Sequence, residues 1–323
     1  MLHRRTLLLA AAALPDLAVA QVTRWPLAKP LTIVVPYAAG GSLDATTRLV
    51  AQHLATRIGQ SVQVENTTGA GGAIGIARGI AAPRDGYTFL MAGDAPLLPG
   101  GPGQSSYRHD MLRELIPSVL VNTAPMVLVA APAAPVSSFD EWVTLVRGKP
   151  GRLNYGTSGV GTLPHLAMEM IKARGRLHIV HIPYRGGAPI VNELAGGQID
   201  AALLISASAL GPIRAKLLKP IAVTGERRLP GLPDVPTVAE SAAFKGFNAV
   251  SWAGLYAPAG TPGDIVAAVN REVGEVLKLD AVRGRLAEQG VFVQGGSPAD
   301  FSAFIERDRA QTLEVLKTLS LKE

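Results

Sequence analysis

The sequence predicts an α/β protein made of two lobes, each a doubly wound sheet flanked by helices, with two passages of chain connecting them. Two observations carry this expectation. Buried-looking β-branched runs alternate with helical patterns in two successive series, an order that favours parallel sheets covered on both faces. The composition also suits two cores: of 323 residues, 48% are hydrophobic and only 17% charged, far from the range of disordered chains.

The first series starts with Leu31–Val35, a continuous apolar run suited to a strand buried on both faces. The next segment sets Leu43, Val50, Leu54 and Ile58 on one helical stripe, with Gly59 as its stop. Val62 and Val64 mark a second strand, Ile74–Ile80 a short helix and Tyr87–Met91 a third strand. A Gly/Pro-rich loop at Pro96–Gly103 precedes two strands, near Ser118–Val121 and at Met126–Ala130. The second series runs through helix Phe139–Val146, strand Leu153–Tyr155, helix Leu163–Ala173, strand His178–Ile182, helix Pro189–Leu194, strand Ile199–Ile205 and strand Pro220–Thr224. Pro230–Pro236 reads as a surface excursion. Strand Val250–Tyr256 then leads into helices over 262–277 and 298–318. Lobe 1 is expected at 26–128 plus 250–323, and lobe 2 at 129–249.

Residues 1–20 stand apart. His3-Arg4-Arg5 precede the apolar run Leu7–Leu14, and Ala18-Val19-Ala20 closes the stretch, the layout of a secretory signal. The apolar run is too short to span a bilayer. Export by the Sec or the twin-arginine route to a bacterial periplasm is the expectation. The chain has no cysteine, so neither a lipid anchor nor a disulfide is available. Its net charge of +6 is spread thinly, without the basic clusters interleaved with aromatics that nucleic acids select.

The candidate sites are strand-to-helix turns. In Val34-Val35-Pro36-Tyr37-Ala38-Ala39-Gly40-Gly41-Ser42, two glycines let backbone approach a ligand, and Ser42 or Asp44 caps a helix whose free N–H groups favour an anion. The alternative is a turn that closes on no ligand. Thr157-Ser158-Gly159-Val160-Gly161-Thr162 repeats the arrangement in the second series. Two such helix starts facing across a cleft would hold a carboxylate from both sides. A serine hydrolase is the competing reading of Ser158, but the nucleophile elbow needs glycine where Val160 stands. Gly69-Ala70-Gly71-Gly72 fails the dinucleotide fingerprint, because Ile74 occupies its third glycine. His178 and His181 are three apart, which on a strand sets them on opposite faces, so one metal cannot use both. His165, just inside the helix after the serine–glycine turn, either touches ligand or packs the helix. In a third turn, Tyr184 and Arg185 present a ring and a guanidinium, the guanidinium either pairing with a carboxylate at the cleft rim or standing in solvent.

Taken in order, these stretches resemble a family. Leu31–Gly41 with Asp44, Val64-Glu65-Asn66, Asp85-Gly86-Tyr87-Thr88, Leu153–Gly156 with Ser158-Gly159, His181–Gly186, Gly196–Asp200, Leu232–Glu240, Ser251-Trp252 and Ala257–Pro262 look like the Bug (TctC-type) substrate-binding proteins of tripartite tricarboxylate transporters. The resemblance implies a type II-like periplasmic binding protein fold that captures a small organic acid and delivers it to a membrane permease. It implies that backbone amides of Tyr37 to Asp44, Ala39 included, and of Thr157 to Thr162 hold a carboxylate, partly through water. No cofactor, no catalysis and a monomer are expected. An ABC-type receptor or a sensory binding protein on the same fold is the alternative. Two stretches depart from the family pattern: Ala92-Gly93-Asp94-Ala95-Pro96, and Ala201-Ala202-Leu203-Leu204-Ile205-Ser206. Asp94 and Ser206 therefore join the candidate ligand residues, and small side chains at 201–202 are expected to make room for a bulkier ligand.

Overall fold

A computed structural model of the chain describes residues 25–69, 72–93, 110–184 and 187–318. The signal-like residues 1–20, Asp94 and Arg185 lie outside them. Strand β1 (Leu31–Val35) pairs in parallel with β2 (Val62–Asn66) on one edge and β3 (Thr88–Gly93) on the other. It is buried at every position but Thr32, the polar residue in its otherwise apolar run. Helix α1 (Ser42–Ile58) ends at Gly59, whose left-handed φ of 67° lets its N–H close the last turn on Ala55. Helix α2 (Ala73–Ile80) follows β2.

Past a single-turn α3 (Met111–Glu114), the structure departs from the expected pair of strands. One strand, β4 (Leu115–Ala130), runs through both. Asn122-Thr123 and Pro125 suggest a break, but they mark a change of partner. From Leu115 to Pro125, β4 pairs with β9 (Val250–Pro258). From Val127 to Ala130 its partner on that edge is β8 (Lys219–Val223). Pro125, which has no N–H to donate, sits at the changeover. The opposite edge behaves alike, taking β10 (Phe292–Gly295) first and β7 (Ala201–Ile205) from Met126 to Ala130.

Within the second half, α4 (Phe139–Gly148), β5 (Asn154–Thr157), α5 (Leu163–Gly175), β6 (Val180–Pro183) and α6 (Gly187–Ala195) follow the expected order. Helix α7 (Ser206–Arg214) links β7 to β8 where no helix is expected, because Gly211-Pro212 masks it. Helices α8 (Gly263–Lys278) and α9 (Asp280–Glu288) lead through β10 into α10 (Pro298–Thr318). The mixed sheet has the order β2-β1-β3-β9-β4-β7-β5-β6, curled and covered by helices on both faces. Around the first half, Val50 and Leu54 of α1 and Val269 and Val273 of α8 pack one face, and Ile76, Phe301 and Ile305 the other. Around the second, α4 and α5 pack one face and α6 and α7 the other. Ala201 and Ala202 are spent in this packing, fully buried on opposite faces of β7. They therefore do not widen a ligand site, contrary to expectation.

Candidate functional site

The β1–α1 turn is closed on itself. Gly40, at φ 83°, donates its N–H to Asp44 Oδ2 at 2.8 Å. The same carboxylate accepts from Arg48 Nε at 2.9 Å and from Asn66 Nδ2 at 2.9 Å, and Asn66 Nδ2 also donates to the Tyr37 carbonyl at 3.0 Å. Burial raises the Asp44 carboxyl, but its bonds from Arg48, Gly40 and Asn66 outweigh that and hold it below the usual value. Asp44 thus stays an anion that fixes the turn. The amides of Ser42 and Leu43, at the first positions of α1, have no acceptor among the described residues.

The β5–α5 turn is built the same way with neutral groups. Gly159 donates its N–H to Thr157 Oγ1 at 3.4 Å, Thr162 Oγ1 donates to the Gly159 carbonyl at 2.8 Å, and Gly161 donates its N–H to His165 Nδ1 at 3.1 Å. Thr157 Oγ1 also lies 2.6 Å from His181 Nε2. Ser158 and Leu163 keep amides without an acceptor among the described residues.

These two helix starts face one cavity of about 410 Å³. Tyr37, Gly41, Ser42 and Asp44 line it from one side, and Ser158, Thr162 and Leu163 from the other. Its floor is the middle of the sheet: Asn122 and Ala124 from β4 and Ser251 and Trp252 from β9. Ile205 and Val291 close it. The indole of Trp252 is held by donating Nε1–H to Asp308 Oδ2 at 3.0 Å, and burial pushes that carboxyl up while the indole bond lowers it. No Lys, Arg or His side chain lines the cavity among the described residues, so the donors offered to an anion are amides, hydroxyls and the positive ends of two helices.

Other sequence candidates stand around this cavity. Ala39 and Gly40 are exposed in the first turn. Thr157 is fully buried, and His165 is 4% exposed, so both act behind the second turn. Tyr184 is half-buried and anchors to the Thr157 carbonyl through its N–H at 2.9 Å. Ser206 is fully buried and donates Oγ–H to the Gly290 carbonyl at 3.0 Å. His178 precedes β6 and is exposed, while His181 lies within it, half-buried. Sequence reasoning missed Asn122, whose signal is a polar residue inside an apolar run, and it gave Trp252 no role although Ser251-Trp252 is one of the resembling motifs.

The profile of the tripartite tricarboxylate transporter family receptor, TctC, matches residues 46–321. The chain belongs to the TctC family. The protein BugT of Bordetella pertussis is 33% identical over 279 residues, covering 86% of this chain and 85% of BugT. Among solved structures, an R. palustris protein with adipate is 31% identical with a TM-score of 0.82, over 91% of this chain and 98% of that one. MatC from Rhodopseudomonas palustris with bound malate is 27% identical with a TM-score of 0.77, over 90% of this chain and 99% of that one.

Proposed function

We propose that this TctC-family receptor captures a small organic acid in the 410 Å³ cavity and delivers it to the permease of a tripartite carboxylate transporter. The observation that carries the reading is the pair of helix starts, α1 and α5, that open onto one cavity from the two halves of the sheet with amides that have no acceptor among the described residues. A carboxylate seated between them meets two helix dipoles and several N–H donors. Relatives solved with adipate and malate support a carboxylate ligand. Leu43, Ile205, Trp252 and Val291 add apolar wall, which suits an acid with a hydrocarbon body.

The two lobes are 26–128 with 250–323, and 129–249. They close on the acid because it contacts both, which stabilises the closed form by differential affinity. Residues 1–20 export the chain to the periplasm, where it works as a monomer. The cavity binds without turnover. Family membership favours a tripartite permease over an ABC-type or sensory partner.

A thermal-shift screen of the chain without residues 1–20 tests the reading, using adipate, malate, citrate, glutamate and benzoate as probes. An acid at about 100 times its dissociation constant adds roughly 2.7 kcal/mol, a rise of about 4 °C for a chain of this size. No shift with any acid from folded, ligand-free protein would remove the proposal, and turnover of generic esters would revive the hydrolase.

A further inference from the structure

Behind the serine–glycine turn lies a stack of rings that the binding reading does not use. The His165 ring lies on the His181 ring with centroids 4.2 Å apart, and His181 lies on Tyr155 at 4.9 Å. Tyr155 donates its hydroxyl to Glu169 Oε1 at 2.7 Å, and Lys172 pairs with the same carboxylate. The outer end of this stack reaches the turn at two points, His165 Nδ1 at the Gly161 amide and His181 Nε2 at Thr157 Oγ1. Because Gly159 and Gly161 direct their N–H groups inward to this support, Ser158 and Thr162 are left lining the cavity.

We propose that neutral His165 is the positioning residue of the ligand turn, holding the Gly161 amide so that Ser158 and Thr162 meet the acid, and that its protonation loosens the turn and weakens binding. This rests on the carboxylate-receptor reading above. The chemistry is that of one nitrogen: Nδ1 accepts from Gly161 only while it carries no proton, and a proton there would face the amide donor to donor.

The charged surroundings favour the neutral form. Burial lowers the His165 pKa below its usual value; Glu169 on the same helix, 4.0 Å from Nε2, opposes this and Lys172 assists it. Burial and the adjoining His165 ring take His181, on β6, from 6.5 to about 4. Tyr155 on β5 is pushed up by burial and by Glu169, and stays a neutral donor. Histidines buried neutral cost stability once protons are offered, so the loss begins as pH falls through 6.5, and for His181 it continues toward 4.

Two variants separate the nitrogen from the bulk. His165→Asn keeps an acceptor near the Nδ1 position and cannot titrate in this range; His165→Leu keeps volume without an acceptor. With the acid found in the screen, the expected result is that Asn binds within about threefold of wild type at neutral pH, while Leu binds about tenfold more weakly. Between neutral pH and pH about 5, wild-type affinity falls more steeply than that of Asn, the ligand's own titration being common to both. Hydrogen exchange at the Gly161 amide, read without ligand, is expected to quicken in Leu and stay slow in Asn. Wild-type affinity from Leu, or equal pH profiles for wild type and Asn, would overturn the proposal. If Leu fails to fold, the Asn profile still decides. If no acid binds wild type, the receptor reading fails, and unchanged Gly161 exchange in Leu would separately refute the support by His165.

Discussion

Gly40 carries the positive φ that lets the β1–α1 turn fold back, yet its own N–H is spent on Asp44. The residues that make the turn are therefore not those that present it. Presentation falls to Ser42 and Leu43, whose amides sit at the first positions of α1. Ser42→Pro tests this, read beside Ser42→Ala, which removes the hydroxyl and keeps the N–H. Proline is favoured at the first helical position, where the N–H has no intrahelical partner. Gly41 before it, at φ −73° and ψ 168°, already has the extended backbone that a residue preceding proline requires. The variant is expected to melt close to wild type while acid affinity falls about 10- to 100-fold, the worth of about 1.5–3 kcal/mol for a bond to a charged acceptor. Calorimetric titration checks it, and undiminished affinity would take Ser42 out of the site. Ser206 illustrates the opposite case: a hydroxyl one residue from the cavity wall is committed to Gly290 and ties α7 to the start of β10 instead.

Among the elements, α2 has a role out of proportion to its length. Gly75 lets it approach so closely that an added Cβ would lie 2.3 Å from the Thr67 carbonyl oxygen and 2.5 Å from Pro36 Cα. Both neighbours are backbone at the base of the first turn and cannot swing aside. Gly75→Ala is expected to push α2 off β1, cost about 1–3 kcal/mol, and weaken acid binding through the displaced turn. Denaturant melts together with titration read both effects, and an alanine variant as stable and as tight as wild type would show that the close approach is dispensable. Elements governed by local signals were legible in the sequence: β1 by its apolar run, α1 by its stripe and its Gly59 stop, and both cavity-lining turns by glycines between strand and helix. Elements governed by distant partners were not. The unity of β4 depends on β9, which supplies Ser251 opposite Ala124 and Val250 opposite Pro125. The short β10 exists because β4 offers it an edge at Leu120–Thr123. Helix α7 outlasts its Gly211-Pro212 because Ala209 and Leu210 are buried in the second half of the core. The cavity floor was hidden for the same reason, since Asn122 and Trp252 meet only through the pairing of β4 with β9.

For the whole molecule, the long strand β4 is the common member of both half-sheets, and the cavity lies over the stretch where its partners change. Each half brings one helix start to the cavity, α1 from the first and α5 from the second. In the function proposed above, an anion between them interacts with both halves at once, and that shared contact is what would turn binding energy into closure of one half on the other. The central claim is that the negative charge of the ligand is what the two helix starts recognise. Titration calorimetry of wild-type protein with its best acid and with the carboxamide of that acid, equal in shape and without the charge, tests it most directly. The account predicts that the acid binds at least about 10-fold more tightly, a difference of about 1.4 kcal/mol or more. A carboxamide that binds as tightly as the acid would contradict it.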